Sequence, residues 1–165
     1  MKNKKWYIIT GILLLLVAIQ FIRPNRSVPA VPPGADFMRL ANVPAEMGSL
    51  IKTACYDCHS YETEYPWYAN VAPVSWWIGG HIREGRKHLN FSEWGKYNIE
   101  RKIHKAEECQ DEIHSGHMPE KAYTWLHPDA RLSEAQRLQL VAWFKELEQG
   151  LRSIPPMPLP APMVQ

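Results

Sequence analysis

An uncharged apolar run near the N-terminus separates a segment suited to a lipid bilayer from a longer segment suited to water. Residues 6–22 (WYIITGILLLLVAIQFI) hold 17 positions without a charged side chain. As an α-helix the run would extend about 26 Å, close to the roughly 30 Å of a bilayer's hydrocarbon core. Trp6 and Tyr7 lie at one edge, where amphipathic rings favour the lipid headgroups. We expect residues 1–23 to form a single membrane anchor.

The charges that flank this run predict its orientation. Three lysines precede it and two arginines follow it, so the positive-inside rule favours a cytoplasmic N-terminus. A cleaved signal peptide is the competing interpretation, but the run exceeds the usual apolar region of roughly 7–15 residues. Arg23 and Arg26 also interrupt the approach to the small-residue site at 28–30. Both interpretations export the rest of the chain, and the anchor predicts a single-pass membrane protein with its domain on the exported side.

Two proline-rich stretches set the limits of one domain. Residues 24–34 (PNRSVPAVPPG) contain four prolines and residues 155–165 (PPMPLPAPMVQ) contain five. Such sequences favour polyproline II and lack donors for a helix or sheet. We therefore expect a stiff linker at 24–35, a domain at 36–152 and a loose tail at 153–165. A domain of this size is too short for a TIM barrel or a full dinucleotide-binding fold.

The charge of the domain argues against a nucleic-acid partner. The whole chain carries a net charge of +2. Residues 36–151, however, contain 13 Lys and Arg against 17 Asp and Glu, which is a net charge of −4. An acidic domain lacks the basic surface that phosphate backbones require. No nucleic acid is expected as a partner.

The apolar residues of the domain recur at helical spacing. Residues 44–54 and 98–115 each carry an apolar stripe, and Gly116 follows the second stripe as a stop signal. Ser133 and Gln136 form a capping-box pattern ahead of a third stripe. Residues 74–89 are a weaker helix candidate because three glycines interrupt them. Since no segment alternates like a strand for long, the sequence predicts an all-α fold.

The residues that carry chemistry are Cys55 and Cys58, followed at once by His59. C-x-x-C-H is the attachment pattern of a c-type haem. Two thiols on one helical turn can add to the two vinyl groups of one porphyrin, and the adjacent imidazole then lies beneath the iron. The pattern predicts one covalent haem c, with Cys55 and Cys58 as attachment residues and His59 as a metal ligand.

Other uses of two close cysteines fit this sequence less well. A thioredoxin-like dithiol expects a βαβ context, which is absent here. A zinc site usually needs a second close pair of ligands, whereas only Cys109 and scattered histidines remain. A structural disulfide is the third alternative. Cys109 itself falls on the apolar stripe of residues 98–115, so we expect a buried thiol rather than an intermolecular disulfide.

Beyond this motif the sequence resembles the small membrane-anchored haem-binding domain proteins, which are similar to class I cytochromes c. The resemblance covers most of residues 36–150 and implies a cytochrome c-like helical domain around a covalent haem, in an exported location. It rests on Cys55–Ser60, Glu62–Thr63, Pro66–Tyr68, Ala72–Pro73, Ser75–Trp76, His81, Gly85, Leu89–Ser92, Trp94, Met118–Pro119, Tyr123, His127–Pro128, Ala130, Leu132–Ser133 and Trp143.

The opposite axial position of the iron has several candidates. Met118 follows the helix stop at Gly116, lies in a predicted loop and precedes Pro119. Cytochromes c often present a thioether ligand from such a Met-Pro loop, so the resemblance agrees with Met118 as the second metal ligand. A packing role for Met118 and an open site remain alternatives. The competing ligands are His81, His114, His117 and His127.

Two functions follow from these ligand sets. A His/Met iron suits a single-electron carrier tethered near respiratory or other redox proteins at the membrane, and such a carrier is not an enzyme. An open or displaceable sixth position would instead suit a haem-based redox or gas sensor, or a peroxidase-like enzyme. The six tryptophans of the domain are expected to pack the walls of the haem pocket in either case.

Overall fold

The protein is described here by a computed structural model that covers residues 2–155. All regular structure within those residues is helical, which confirms the all-α prediction. Short 3-10 turns join several of the helices. The helices are α1 (Lys2–Ala18), α2 (Phe37–Leu40), α3 (Ala45–Ile51), α4 (Asp57–His59), α5 (Val74–His88), α6 (Ile99–His114), α7 (Lys121–Leu126) and α8 (Glu134–Arg152).

Helix α1 is the apolar run identified in the sequence. A 3-10 turn at Ile19–Phe21 prolongs it. The 18-residue window Lys4–Phe21 has a mean hydropathy of 1.5, and none of it is buried against the rest of the protein. By length and composition this helix is suited to cross a membrane, because its apolar surface has no protein partner.

The core of the domain is aromatic and centres on Phe37. This ring is fully buried, and its centroid lies 4.7 Å from those of both Phe91 and Trp94. Phe144 of α8 stacks on the same ring at 6.1 Å. Asp36 caps α2 by accepting a 2.8 Å hydrogen bond from the Met38 N–H. Phe37 therefore joins the start of the domain to its last helix.

Helices α6 and α8 pack along each other and form the scaffold behind this core. Helix α6 contributes Ala106, Cys109 and Ile113 as buried residues, so the expected burial of the Cys109 thiol is confirmed. Helix α8 begins with the capping box that the sequence predicts: Ser133 and Gln136 exchange side-chain to backbone hydrogen bonds. Gly116 ends α6 in a left-handed conformation with φ of 77°.

The first residues after α1 lie against the domain. The side-chain amide of Gln20 donates to the Ala72 carbonyl at 3.1 Å and accepts from the Ala72 N–H at 2.9 Å. The Trp76 indole donates to the Ile22 carbonyl at 2.6 Å. Arg26 donates to the Asn70 side chain at 2.9 Å. The linker predicted at 24–35 thus does not stand free of the domain at its first residues, whereas most of the tail predicted at 153–165 lies outside the described residues.

Candidate haem-attachment site

The two cysteines and the histidine lie at the end of one uninterrupted helical segment. Helix α3 continues through a π turn at Lys52–Tyr56 into α4, which ends at His59. Met47 and Ile51 bury the earlier part of this segment in the core. The sequence predicted the helix only to residue 54, whereas the structure extends it through the whole motif. Isolated π turns are frequent at functional sites because they reorient the side chains that follow.

The His59 ring is held in one orientation by two backbone carbonyls of the neighbouring helix. Its Nδ1 lies 3.0 Å from the Gly85 oxygen and 3.1 Å from the Leu89 oxygen. Because both partners accept hydrogen bonds, Nδ1 must carry the proton, and Nε2 keeps a free lone pair. Burial lowers the pKa of His59 and so favours the neutral ring. A neutral, oriented imidazole with a free Nε2 is the form that binds a metal.

Gly85 allows helix α5 to approach the motif closely. A Cβ atom at this position would lie 2.8 Å from the Cys58 carbonyl oxygen, a separation that side chains do not tolerate. Arg86 reinforces the same contact by donating to the Ser60 carbonyl at 2.7 Å and to the Thr63 hydroxyl at 2.9 Å. The register of α5 against the motif is therefore fixed on both sides of His59.

An open, mainly apolar cleft adjoins Cys58. It lies between the motif, helix α5 and helix α7, and most of its exposed lining is apolar, as is usual for small-molecule and cofactor sites. Its apolar walls include Trp77 and Ile82 of α5 and Leu126 of α7. A flat apolar ring system attached at Cys58 would be shielded from water on these sides, so the residues present suit a haem.

The opposite wall of the cleft is tied to the motif by hydrogen bonds. The Tyr123 hydroxyl donates to the Asp57 carboxylate at 2.8 Å. His127 stacks on the Tyr123 ring at 4.2 Å, and its Nε2 lies 3.3 Å from the Tyr68 hydroxyl. Tyr123 and Asp57 therefore hold α7 across the cleft from α5.

The two thiols have properties that do not suit a redox dithiol. Burial raises the pKa of Cys55 to about 12, with Cys58 adding to the effect. Burial, followed by the Asp57 carboxylate, raises the pKa of Cys58 to about 11. Reactive dithiols need a lowered pKa. Both residues are free cysteines, and within residues 2–155 no three His, Cys, Asp or Glu side chains are grouped to hold a metal ion.

The candidate axial residues are distributed unevenly around this site. Met118 is half-buried in the loop after α6, where its N–H donates to Glu112 and its carbonyl accepts from Arg137, both at 3.0 Å. It does not line the cleft, although Glu120, two residues later, does.

The histidines divide into two groups. His81 and His127 line the cleft, whereas His114 and His117 are exposed on the surface. The His81 Nε2 faces the Glu120 carboxylate at 3.7 Å, and its Nδ1 lies 3.0 Å from the Trp77 carbonyl oxygen. Of the five candidate ligands, His81 and His127 therefore line the cleft, whereas Met118, His114 and His117 do not.

The tryptophans of the domain differ in burial and in their distance from the cleft, although the sequence predicts one role for all of them. Trp77 lines the cleft and Trp94 is buried in the core. Trp67 and Trp125, in contrast, are 78% and 84% exposed and do not line the cleft, so their packing against a haem stays a prediction. Arg86 and the carbonyls that orient His59 were not named from the sequence, because the contacts that define them join residues 23 or more positions apart.

Comparison with known proteins agrees with the cofactor that these residues suit. A family model described as a haem-binding domain matches residues 14–146. The match begins inside α1 and ends within α8, so it includes the whole cleft. No curated protein and no solved structure matches the chain.

Proposed function

Because the chain belongs to the haem-binding domain family, we propose that it is a membrane-anchored c-type cytochrome that transfers single electrons. One haem is attached through thioethers at Cys55 and Cys58, and the domain lies on the periplasmic side of the bacterial inner membrane. A haem supplies reversible one-electron chemistry at its iron, with a potential that depends on the axial ligands. Respiratory or other redox proteins at the membrane are the partners in this proposal.

The observation that carries the proposal is the environment of His59. Its Nδ1 is occupied by the Gly85 and Leu89 carbonyls, one residue after a cysteine that borders an apolar cleft. This arrangement leaves Nε2 for the iron and fixes the ring plane, as ligating histidines require. We therefore propose His59 as the proximal ligand.

Met118 is the proposed ligand on the other face of the iron. Its loop is anchored on both sides, by the Glu112 and Arg137 hydrogen bonds, and leads directly into Glu120 at the cleft. A neutral thioether favours ferrous iron and a raised potential, and a six-coordinate iron excludes small ligands. Both properties suit an electron carrier.

A haem-based sensor or peroxidase-like enzyme is the second candidate, and one observation favours it. His81 and Glu120 both line the cleft and lie 3.7 Å apart, while Met118 does not line it. An imidazole beside a carboxylate can move protons at a bound small molecule. This candidate requires an iron that is open or easily opened on the Met118 side.

Substitution of Met118 separates the two functions. If its sulfur binds the iron, Met118→Ala should abolish the weak far-red charge-transfer band of ferric-thioether ligation, admit carbon monoxide or azide and lower the reduction potential. Absorption spectra of the oxidised, reduced and carbon monoxide-treated protein report all three changes. Met38→Ala is the matched control, since Met38 is a partly buried methionine packed against the core, and it should leave the spectra unchanged.

His81→Ala tests whether His81, and not Met118, is the sixth ligand. If it changes the ligand bands while Met118→Ala does not, the sixth ligand is His81 and the Met118 assignment is wrong. If neither variant changes the spectra and the unmodified protein already binds carbon monoxide, the iron is open and the sensor or enzyme function replaces the electron carrier.

A further inference from the structure

A row of exposed apolar side chains lies beside the end of helix α1. Trp67 is 78% exposed, Trp77 50%, Val71 44% and Val74 41%. These four residues, here called the apolar rim, occupy the 3-10 turn Trp67–Asn70, the loop after it and the first turn of α5. Val74 and Trp77 also line the cleft, where a bound haem would cover part of their surface, whereas Trp67 and Val71 lie outside it. Exposing the apolar surface of these two residues to water costs free energy.

The apolar rim is fixed at the level where α1 ends. Gln20 is two residues from the end of the apolar run, and its amide forms a reciprocal pair with the backbone of Ala72, between Val71 and Val74. Pro24 lies close to helix α5: a Cβ atom at Gly79 of this helix would lie 3.0 Å from the Pro24 ring. The loop that carries the two valines is therefore at the same depth as the last residues of the proposed membrane helix.

The contacts continue from this level to the haem cleft. Arg26 lies over the Tyr65 ring at 4.0 Å, and Tyr65 lines the cleft together with Val74 and Trp77. Residues 72, 75, 76 and 79 of α5 and the preceding loop face the linker, whereas Val74, Trp77 and His81 face the cleft. One face of α5 therefore contacts the segment that follows the membrane helix, and another face of the same helix lines the cleft.

We propose that the apolar rim lies in the headgroup region of the bilayer, so that the haem domain rests on the membrane with its cleft beside the lipid surface. This proposal rests on α1 spanning the membrane. Tryptophan favours the headgroup region because its ring is apolar and its N–H is polar. Arg23, which directly follows the apolar run and is exposed, adds a positive charge that attracts anionic headgroups. A domain held in this way exchanges electrons at the membrane surface and does not move freely on a tether.

Spin labels on the full-length haem protein in lipid nanodiscs test this placement. Nitroxides are attached at Trp67→Cys and Val71→Cys, which lie outside the cleft, and collision with dissolved oxygen is compared with collision with a water-soluble nickel chelate. Leu138→Cys is the matched control, because Leu138 is a 55% exposed apolar residue on α8. The unmodified chain, in which Cys109 is buried, gives the background labelling. Labels at 67 and 71 should favour oxygen several-fold more than the label at 138.

A fourth label separates failure of the rim from failure of the anchor. Leu14→Cys lies in the middle of α1 and should show strong preference for oxygen. If position 14 is lipid-exposed but positions 67 and 71 react like 138, the rim does not contact the bilayer and the inference is wrong. If position 14 is itself open to the nickel chelate, the anchor fails, and the inference fails with it. Spin–spin broadening at position 71 would show that a second copy covers the rim, which also overturns the inference. Each variant must retain the haem spectrum of the unmodified protein.

Discussion

Gly85 determines how closely helix α5 can approach the cysteine motif. Its Cα passes so near the Cys58 carbonyl that a methyl group has no space. The same residue supplies the carbonyl nearest to the His59 ring. One glycine thus couples the packing of a helix to the orientation of the proposed iron ligand.

We predict that Gly85→Ala destabilises the protein by about 1–3 kcal/mol, the range expected for overpacking. The added methyl must displace either α5 or the motif, so the ligand bands of the haem should shift as well. Urea unfolding of the full chain measures the free energy, and the absorption spectrum reports the ligand. Gly80→Ala is the control on the same helix, because no atom lies within 4 Å of its added methyl. Equal stability of the two variants would contradict the close approach.

Single residues also show where reasoning from sequence stops. Cys55, Cys58 and His59 are recognisable because their chemistry depends on local spacing, which a sequence displays directly. The acceptors for His59 Nδ1 are carbonyls 26 and 30 positions away. Any residue can supply a carbonyl, so no side-chain pattern marks the two that are used.

At the scale of elements, the well-predicted helices are those with both a stripe and a boundary signal. Asn98 caps α6 through the Arg101 N–H at 2.8 Å, and Ser133 caps α8. The sequence did not predict helix α2, because its four residues are too few to show a helical spacing of apolar residues. Its Phe37 nevertheless occupies the centre of the core, where tertiary contacts rather than propensity select it.

We predict that Phe144→Ala in α8 lowers the free energy of unfolding by about 3–5 kcal/mol. Phe144 is 1% exposed and stacks on Phe37 at 6.1 Å, so its removal leaves a cavity between α8 and α2. Leu138→Ala on the same helix is the control, and its cost should remain within about 0.5 kcal/mol because its side chain is exposed. Denaturant midpoints provide the comparison. Similar costs for both variants would mean that α8 does not pack as described.

At the scale of the whole molecule, the sequence predicted the separate segments of the chain but not the contacts between them. Composition alone separates the apolar run, the proline-rich stretches and the acidic domain. The hydrogen bonds from Gln20 and Ile22 to residues 72 and 76 are invisible in the sequence, since they join positions more than 50 apart. The proposed membrane helix and haem domain are therefore connected by specific contacts as well as by chain.

We predict that the full-length protein remains in the membrane pellet after a carbonate wash. Replacing both Leu14 and Leu15 with lysine should release it, because each charge at the centre of a bilayer costs about 2.5–3.5 kcal/mol on insertion scales. Leu138→Lys changes an exposed leucine of the domain in the same way and should stay in the pellet. Protease added to spheroplasts should digest the domain if it is periplasmic; protection of the domain would place it on the cytoplasmic side.

The most direct test of the account is extraction of the haem from protein matured in an exported compartment. Thioethers at Cys55 and Cys58 predict that acidified acetone leaves the haem on the polypeptide, with the absorption of a haem that has lost both vinyl groups. Serine at both positions should make the haem extractable or prevent its incorporation, whereas Cys109→Ser should leave it attached. Complete extraction from the unmodified protein would contradict covalent attachment and, with it, the assignment of this chain as a c-type cytochrome.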